Sequence, residues 1–117
     1  MDGMRSALVH CFVCAGAILL TACGFNIEYT QTNAPPHAMA ARPPESVEVH
    51  HIAPSDRRFV DTGIIDETGY WGGGTEHADQ LLRQKAAEVG CDALVIQGYV
   101  QGGSRYRGIC LAYLPDH

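Results

Sequence analysis

Cysteine and histidine are the residues of this chain whose types and spacing invite chemistry. Of five cysteines, Cys11, Cys14 and Cys23 lie in or at the end of an apolar N-terminal run, which leaves Cys91 and Cys110 in the part that can fold. In an oxidising compartment those two could pair and close a loop contributing about 3 kcal/mol. A hairpin turning about Gly102-Gly103 argues against it, because it sets Cys110 across from Val95 and leaves Cys91 near Leu114. The two sulfurs then share a face but stand ~13 Å apart at ~3.3 Å per residue, so two small buried hydrophobes are expected and not a bridge. His50 and His51 are weak metal candidates, since neighbours in a strand point to opposite faces and cannot ligate one ion without a bulge. Tyr70-Trp71-Gly72-Gly73-Gly74 leads into a helix start that could hold an anion, yet it lacks the lysine and glycine spacing of a phosphate loop. An exposed aromatic tip there is expected to serve as a partner-contact loop. Ser46, Ser55 and Ser104 stand in no nucleophile-elbow setting and the acids scatter over turns and a helix surface, so a non-enzymatic chain is expected.

Cys23 has a more specific setting. From Ala7 to Leu20 the sequence is apolar apart from His10, long enough for a signal-peptide core and short of the ~20 residues that span a bilayer as a helix. Asp2 cancels Arg5, whereas a start at Met4 gives the positive N-terminus such a segment needs, and Met4 is therefore the expected start. Leu20-Thr21-Ala22-Cys23-Gly24 resembles the lipobox of bacterial lipoproteins. The resemblance implies cleavage between Ala22 and Cys23, a covalent diacylglycerol and N-acyl chain on Cys23 as the sole cofactor-like groups, and attachment to the bilayer through them. Acyl chains at ~0.8 kcal/mol per buried methylene hold such a protein in the membrane. By the same resemblance, Gly24, a residue other than Asp, implies an outer-membrane destination facing the periplasm of a Gram-negative cell.

Composition bounds both the size of the folded part and the partners open to it. A chain of 117 residues carrying a leader has room for one small domain. Removing 1–22 takes away one acid, Asp2, and one base, Arg5, so the net charge stays at -5. An acidic chain excludes nucleic acid as a partner and gains nothing from anionic lipid, so a membrane protein of this charge needs a covalent anchor.

Behind the anchor, 23–46 holds no sustained period, and Asn33-Ala34-Pro35-Pro36 and Arg42-Pro43-Pro44 favour extended backbone. It is expected to be a tether reaching several tens of ångströms at ~3 Å per residue, with the alternation of Phe25, Ile27 and Tyr29 marking a short strand or a partner contact. The domain is expected over 47–117. Val47, Val49 and Ile52 mark a first strand and Phe59 to Ile65 a second. A helix capped by Thr75 carries an apolar stripe of Ala78, Leu81, Leu82, Ala86 and Val89 and stops at Gly90. Ala93 to Tyr99 and Tyr106 to Leu114 complete a small α+β domain of β-β-α-β-β order, a four-stranded antiparallel or mixed sheet with one helix on a face.

Lys85-Ala86-Ala87-Glu88-Val89-Gly90-Cys91-Asp92-Ala93-Leu94-Val95-Ile96 resembles the helix-to-strand junction of RcsF-like and YbjQ-like envelope proteins, and Tyr106-Arg107-Gly108-Ile109-Cys110-Leu111 is similar to the terminal strand of the first group. The resemblance implies an interaction or envelope-sensing module with an envelope protein as partner. RcsF-like domains carry two disulfides, and only Cys110 falls on a matching position. The alternative expectation is a small-ligand or metal-binding domain using His50 or His51 and the loop at Trp71.

Overall fold

A computed structural model of the chain describes residues 26–69 and 74–115. Alternating apolar side chains make each strand two-faced, and the sheet they form has one face covered by a helix. The elements are β1 (Asn26–Gln31), β2 (Glu48–His50), β3 (Phe59–Thr68), α1 (Gly74–Val89), β4 (Ala93–Val100) and β5 (Arg105–Tyr113). They build one five-stranded mixed sheet in the order β1-β3-β5-β4-β2, in which only β2 and β4 run parallel. The α+β class with one helix is as expected; the sheet has five strands, not four, because β1 joins it.

The helix forms where the sequence places it. Ala78, Leu82, Ala86 and Ala87 are its fully buried positions, a stripe at helical spacing that packs on Val47, Ile65, Leu94, Ile96 and Cys110. Gly90, at φ +94°, ends it: the N–H of Gly90 reaches the carbonyls of Ala86 and Ala87, and the N–H of Cys91 returns to Ala86 at 2.9 Å. A β-carbon on Gly90 would also sit 2.6 Å from the carbonyl oxygen of Ala40. Gly90→Ala is therefore expected to lower the unfolding free energy by about 2 kcal/mol through left-handed strain, with the clash adding to it, read as a fall in Tm.

The same turn corrects the expectation for the cysteines. Cys91 and Cys110 form a disulfide, with Cα atoms 5.5 Å apart. The hairpin register pairs Leu94, not Val95, with Cys110, because a bulge at Gln97 and Gly98 shifts the ladder by one residue. Cys91 moreover precedes the strand. It lies in the compact turn that closes α1, so the extended spacing of a strand does not apply to it, and the turn folds its side chain over the sheet face that holds Cys110.

The segment expected as a tether is, from Asn26 onward, part of the folded body. β1 pairs antiparallel with β3 from Asn26↔Thr68 to Gln31↔Gly63 and sets Ile27 and Tyr29 against the core under α1. A side chain on Gly63 would meet the Tyr29 ring at 2.4 Å, so the pairing depends on that glycine. Residues 32–46 then cross to the opposite edge past the C-terminal end of α1. Asn33 Nδ2 donates to the Asp61 carbonyl at 2.7 Å, Met39 packs on the core, and the Arg42 N–H donates to the Ala87 carbonyl at 2.9 Å. Arg83 of α1 holds the end of this crossing through the carbonyls of Glu45 and Val47. Pro43 is extended, at φ −62° and ψ 141°, whereas Pro44 opens a short 3-10 turn to Ser46, and a backbone fixed every few residues is a strap. The folded domain therefore begins at Asn26 among the described residues, and not at Val47.

Candidate functional site

At the end of the sheet where β2 and β4 begin and β5 finishes, charged side chains gather around a cleft of about 360 Å³. Asp92 is its centre. The turn after α1 and the disulfide fix Cys91 toward the core, and Asp92, the next residue of that turn, is held in the cleft by its own hydrogen bonds. Its Oδ1 accepts from Arg42 Nη1 at 2.7 Å, and its Oδ2 meets His37 Nε2 at 2.7 Å and the Tyr113 N–H at 2.8 Å. Burial works to raise the Asp92 pKa, but the bonds from Tyr113, His37 and Arg42 outweigh it and hold the carboxyl below its usual value. His37 is shifted upward by its contact with the Ala38 carbonyl and by Asp92. Arg42 is occupied on every side, with Nε and Nη2 on Ser46 and Nη1 also near the Cys91 carbonyl.

Glu48 is the second carboxylate. Its Oε1 accepts from the Tyr113 hydroxyl at 3.1 Å and lies 3.3 Å from His50 Nε2, and Arg57 approaches Oε2 at 3.7 Å. The Arg57 guanidinium rests on the Tyr113 ring, 3.7 Å from its centroid. Burial and the bond to Glu48 push the Tyr113 hydroxyl up to about 12, so it stays a neutral donor. Leu114 and Pro115 complete the wall. The most accessible basic side chains of the cleft are Arg57 and His37, 40% and 38% exposed. The result is a rim of partly exposed basic groups over two carboxylates and a phenol, a set suited to reversible recognition of a polar or charged group.

No protein-family model, curated protein or solved structure matches the chain. The site therefore rests on its own geometry. Of the residues singled out in the sequence, Ala22, Cys23, Tyr70, Trp71, Gly72 and Gly73 lie outside the described residues, and Gly74 opens α1 at φ +73°. His50 closes β2 beside Glu48, while His51 is exposed in the bend after it. Among the described residues no group of three or more His, Cys, Asp or Glu is placed to hold a metal ion. Sequence reasoning missed His37 and Arg42, which it assigned to the tether, and Glu48, Arg57, Asp92 and Tyr113. One local signal was present: Asp92 directly follows the glycine-cysteine turn that ends the helix, where a side chain leaving the core is positioned by the fold.

Asp92→Asn keeps an acceptor for the Tyr113 N–H and removes the charge facing Arg42 and His37. It is expected to destabilise the domain by about 1–2 kcal/mol in urea unfolding. The difference from wild type has a pH window. The lowered Asp92 pKa contributes stability above its ordinary 3.8, lost as pH falls below that. The raised His37 pKa contributes fully below 6.5 and is lost as pH rises through its folded value. The variant should thus differ most from wild type between those two pH values.

Proposed function

We propose that the chain is an exported, lipid-anchored binding domain of the cell envelope, an interaction or sensing module and not an enzyme. The observation that carries the reading is the Cys91–Cys110 disulfide, both of whose cysteines are fully buried. Structural disulfides belong to oxidising compartments, and a small domain gains most from one. This agrees with the apolar leader and the Leu20-Thr21-Ala22-Cys23 pattern, which assign Cys23 as the acylated residue and the outer membrane, periplasmic side, as the destination. The binding surface we assign is the Asp92–Glu48–Tyr113 cleft, and its partner an envelope protein presenting charged or hydrogen-bonding groups. The size of the cleft also supports a second reading, a small-ligand domain, because 360 Å³ falls in the range of ligand pockets.

The test is membrane fractionation of cells expressing wild type and Cys23→Ser. The wild type should partition with membranes and the variant should be released. Equal partitioning would sink the lipid anchor. Thiol counting on the non-reduced, denatured protein should find neither Cys91 nor Cys110 reactive, and two free thiols would remove the support for export. Calorimetric titration of the released variant with zinc and with copper tests the second reading in the metal-binding form that the sequence offered: tight stoichiometric binding would favour it over a protein partner.

A further inference from the structure

We infer that the end of the sheet where β1 starts lies against the lipid headgroup surface and that the Asp92–Tyr113 cleft points away from it. The inference rests on the proposed acylation of Cys23 and deepens it into an orientation. Asn26, the first residue of β1, follows Cys23 by so few residues that fully extended backbone at ~3.6 Å per residue spans about 11 Å between them. Asn26 is held in the sheet: it is paired with Thr68, whose hydroxyl donates to its carbonyl. An anchor at Cys23 therefore acts on one corner of a rigid domain with almost no slack.

The strand order says which parts that corner brings to the surface. Thr68 ends β3, Arg105 begins β5 and is paired with Val100 at the end of β4, and all three lie at the Asn26 end of the sheet. The turn joining β4 to β5, Gln101-Gly102-Gly103-Ser104, projects beyond that row, is exposed and carries no charge. An uncharged turn meets headgroups without the repulsion that a net charge of -5 would otherwise bring. The other end holds the cleft: Phe59 starts β3 paired with Tyr113, and Glu48 is paired with Ala93. The ten residues of β3 separate the two ends by about 30 Å. The occupant of the Asn26 end is thus the bilayer surface, and the cleft is presented to whatever lies beyond it.

The experiment uses full-length acylated protein purified in detergent and reconstituted into phosphatidylethanolamine–phosphatidylglycerol vesicles. Ser104→Cys in the β4–β5 turn and Ser55→Cys in the exposed segment near the cleft each receive a bimane label, and a fraction of the lipid carries a nitroxide on its headgroup. Labelled Ser104→Cys should lose most of its fluorescence and labelled Ser55→Cys should keep it. Inserting ten Gly/Ser residues between Gly24 and Phe25 should restore the Ser104→Cys signal. Protein that floats with the vesicles but is quenched equally at both positions, or at neither, overturns the orientation while leaving the anchor intact. Protein that does not float overturns the anchor itself and the orientation with it.

Discussion

Replacing Cys91 and Cys110 together by alanine is expected to lower the unfolding free energy by about 3 kcal/mol. The sequence separation of 19 sets that magnitude, since a crosslink stabilises chiefly by restricting the unfolded chain. The bridge joins the turn after α1 to the central strand β5, so it also fixes how the helix sits on the sheet. Thr62 adds to this by donating its hydroxyl to the Cys110 carbonyl at 3.2 Å and to the Cys110 sulfur at 3.0 Å. In a domain whose total stability is of the order of 5 kcal/mol, the loss is a large share. Urea unfolding should show a midpoint lower by about 2 M and a somewhat larger slope, because the unfolded chain without the crosslink exposes more surface. Because both cysteines are fully buried, a reductant should act on the wild type only as fast as the domain opens. Identical midpoints with and without reductant, after confirmed reduction, would mean that the bridge does not stabilise the fold.

What could be read in the sequence depends on the range over which each signal acts. The helix is local: a stripe of which Ala78, Leu82 and Ala86 are fully buried and a terminating glycine fix its C-terminal end at Val89, while its start lies at Gly74, ahead of the expected cap at Thr75. The strands of the β4–β5 hairpin are nearly as local. Near their turn the expected register is the observed one, with Tyr99 opposite Tyr106 and Val100 opposite Arg105. It fails beyond Gly98, whose φ of +88° accompanies the bulge, and a glycine inside a strand pattern was the sign of that irregularity. The disulfide was lost to that one-residue shift and to treating Cys91 as strand when it belongs to the helix-ending turn.

Other features depend on contacts between distant segments. β1 is six residues whose alternation is followed by prolines, and its status as an edge strand rests on pairing with β3 more than 30 residues away. The strap at 32–46 has the composition of a linker, and its contacts with distant residues, among them Asp61, Thr62, Arg83, Ala87 and Asp92, distinguish it from one. The cleft is the extreme case. His37, Arg42, Glu48, Arg57, Asp92 and Tyr113 come from separate parts of the chain, and no spacing among them carries information until the sheet brings their ends together. The pattern at Leu20-Thr21-Ala22-Cys23, by contrast, is wholly local, and the fold changes what it would imply: with β1 starting at Asn26, the acylation we propose at Cys23 would hold the domain close to the membrane surface and not at the end of a long tether.

Glu67→Gln is expected to stabilise the domain above pH 7 and to leave it nearly unchanged in mild acid. Glu67 lies on β3 between Ile27 of β1 and Tyr106 of β5, is 1% exposed, and its Oε2 has no hydrogen-bond partner. Burial raises its pKa from 4.5 to about 7. Nearby, the Tyr106 hydroxyl donates to Asp79 of α1, so this part of the helix-facing core already holds one carboxylate. The sign is set by which state binds the proton more tightly. With the folded pKa raised, the folded chain keeps a proton that the unfolded chain releases, so stability is full below 4.5 and is lost as pH rises through about 7. At about 1.4 kcal/mol for each of the pH units between 4.5 and about 7, the loss reaches about 3.5 kcal/mol by pH 8, an upper figure because neighbouring groups relax around a buried charge. Glutamine fills the same space without the charge and should not incur that loss. Urea midpoints of the two proteins should therefore coincide near pH 4.5, separate as pH rises to about 7 and stay apart to pH 8, with the variant higher. Parallel midpoints across that range would show that Glu67 is ionised in the folded domain at no cost, and that its carboxylate has found a partner.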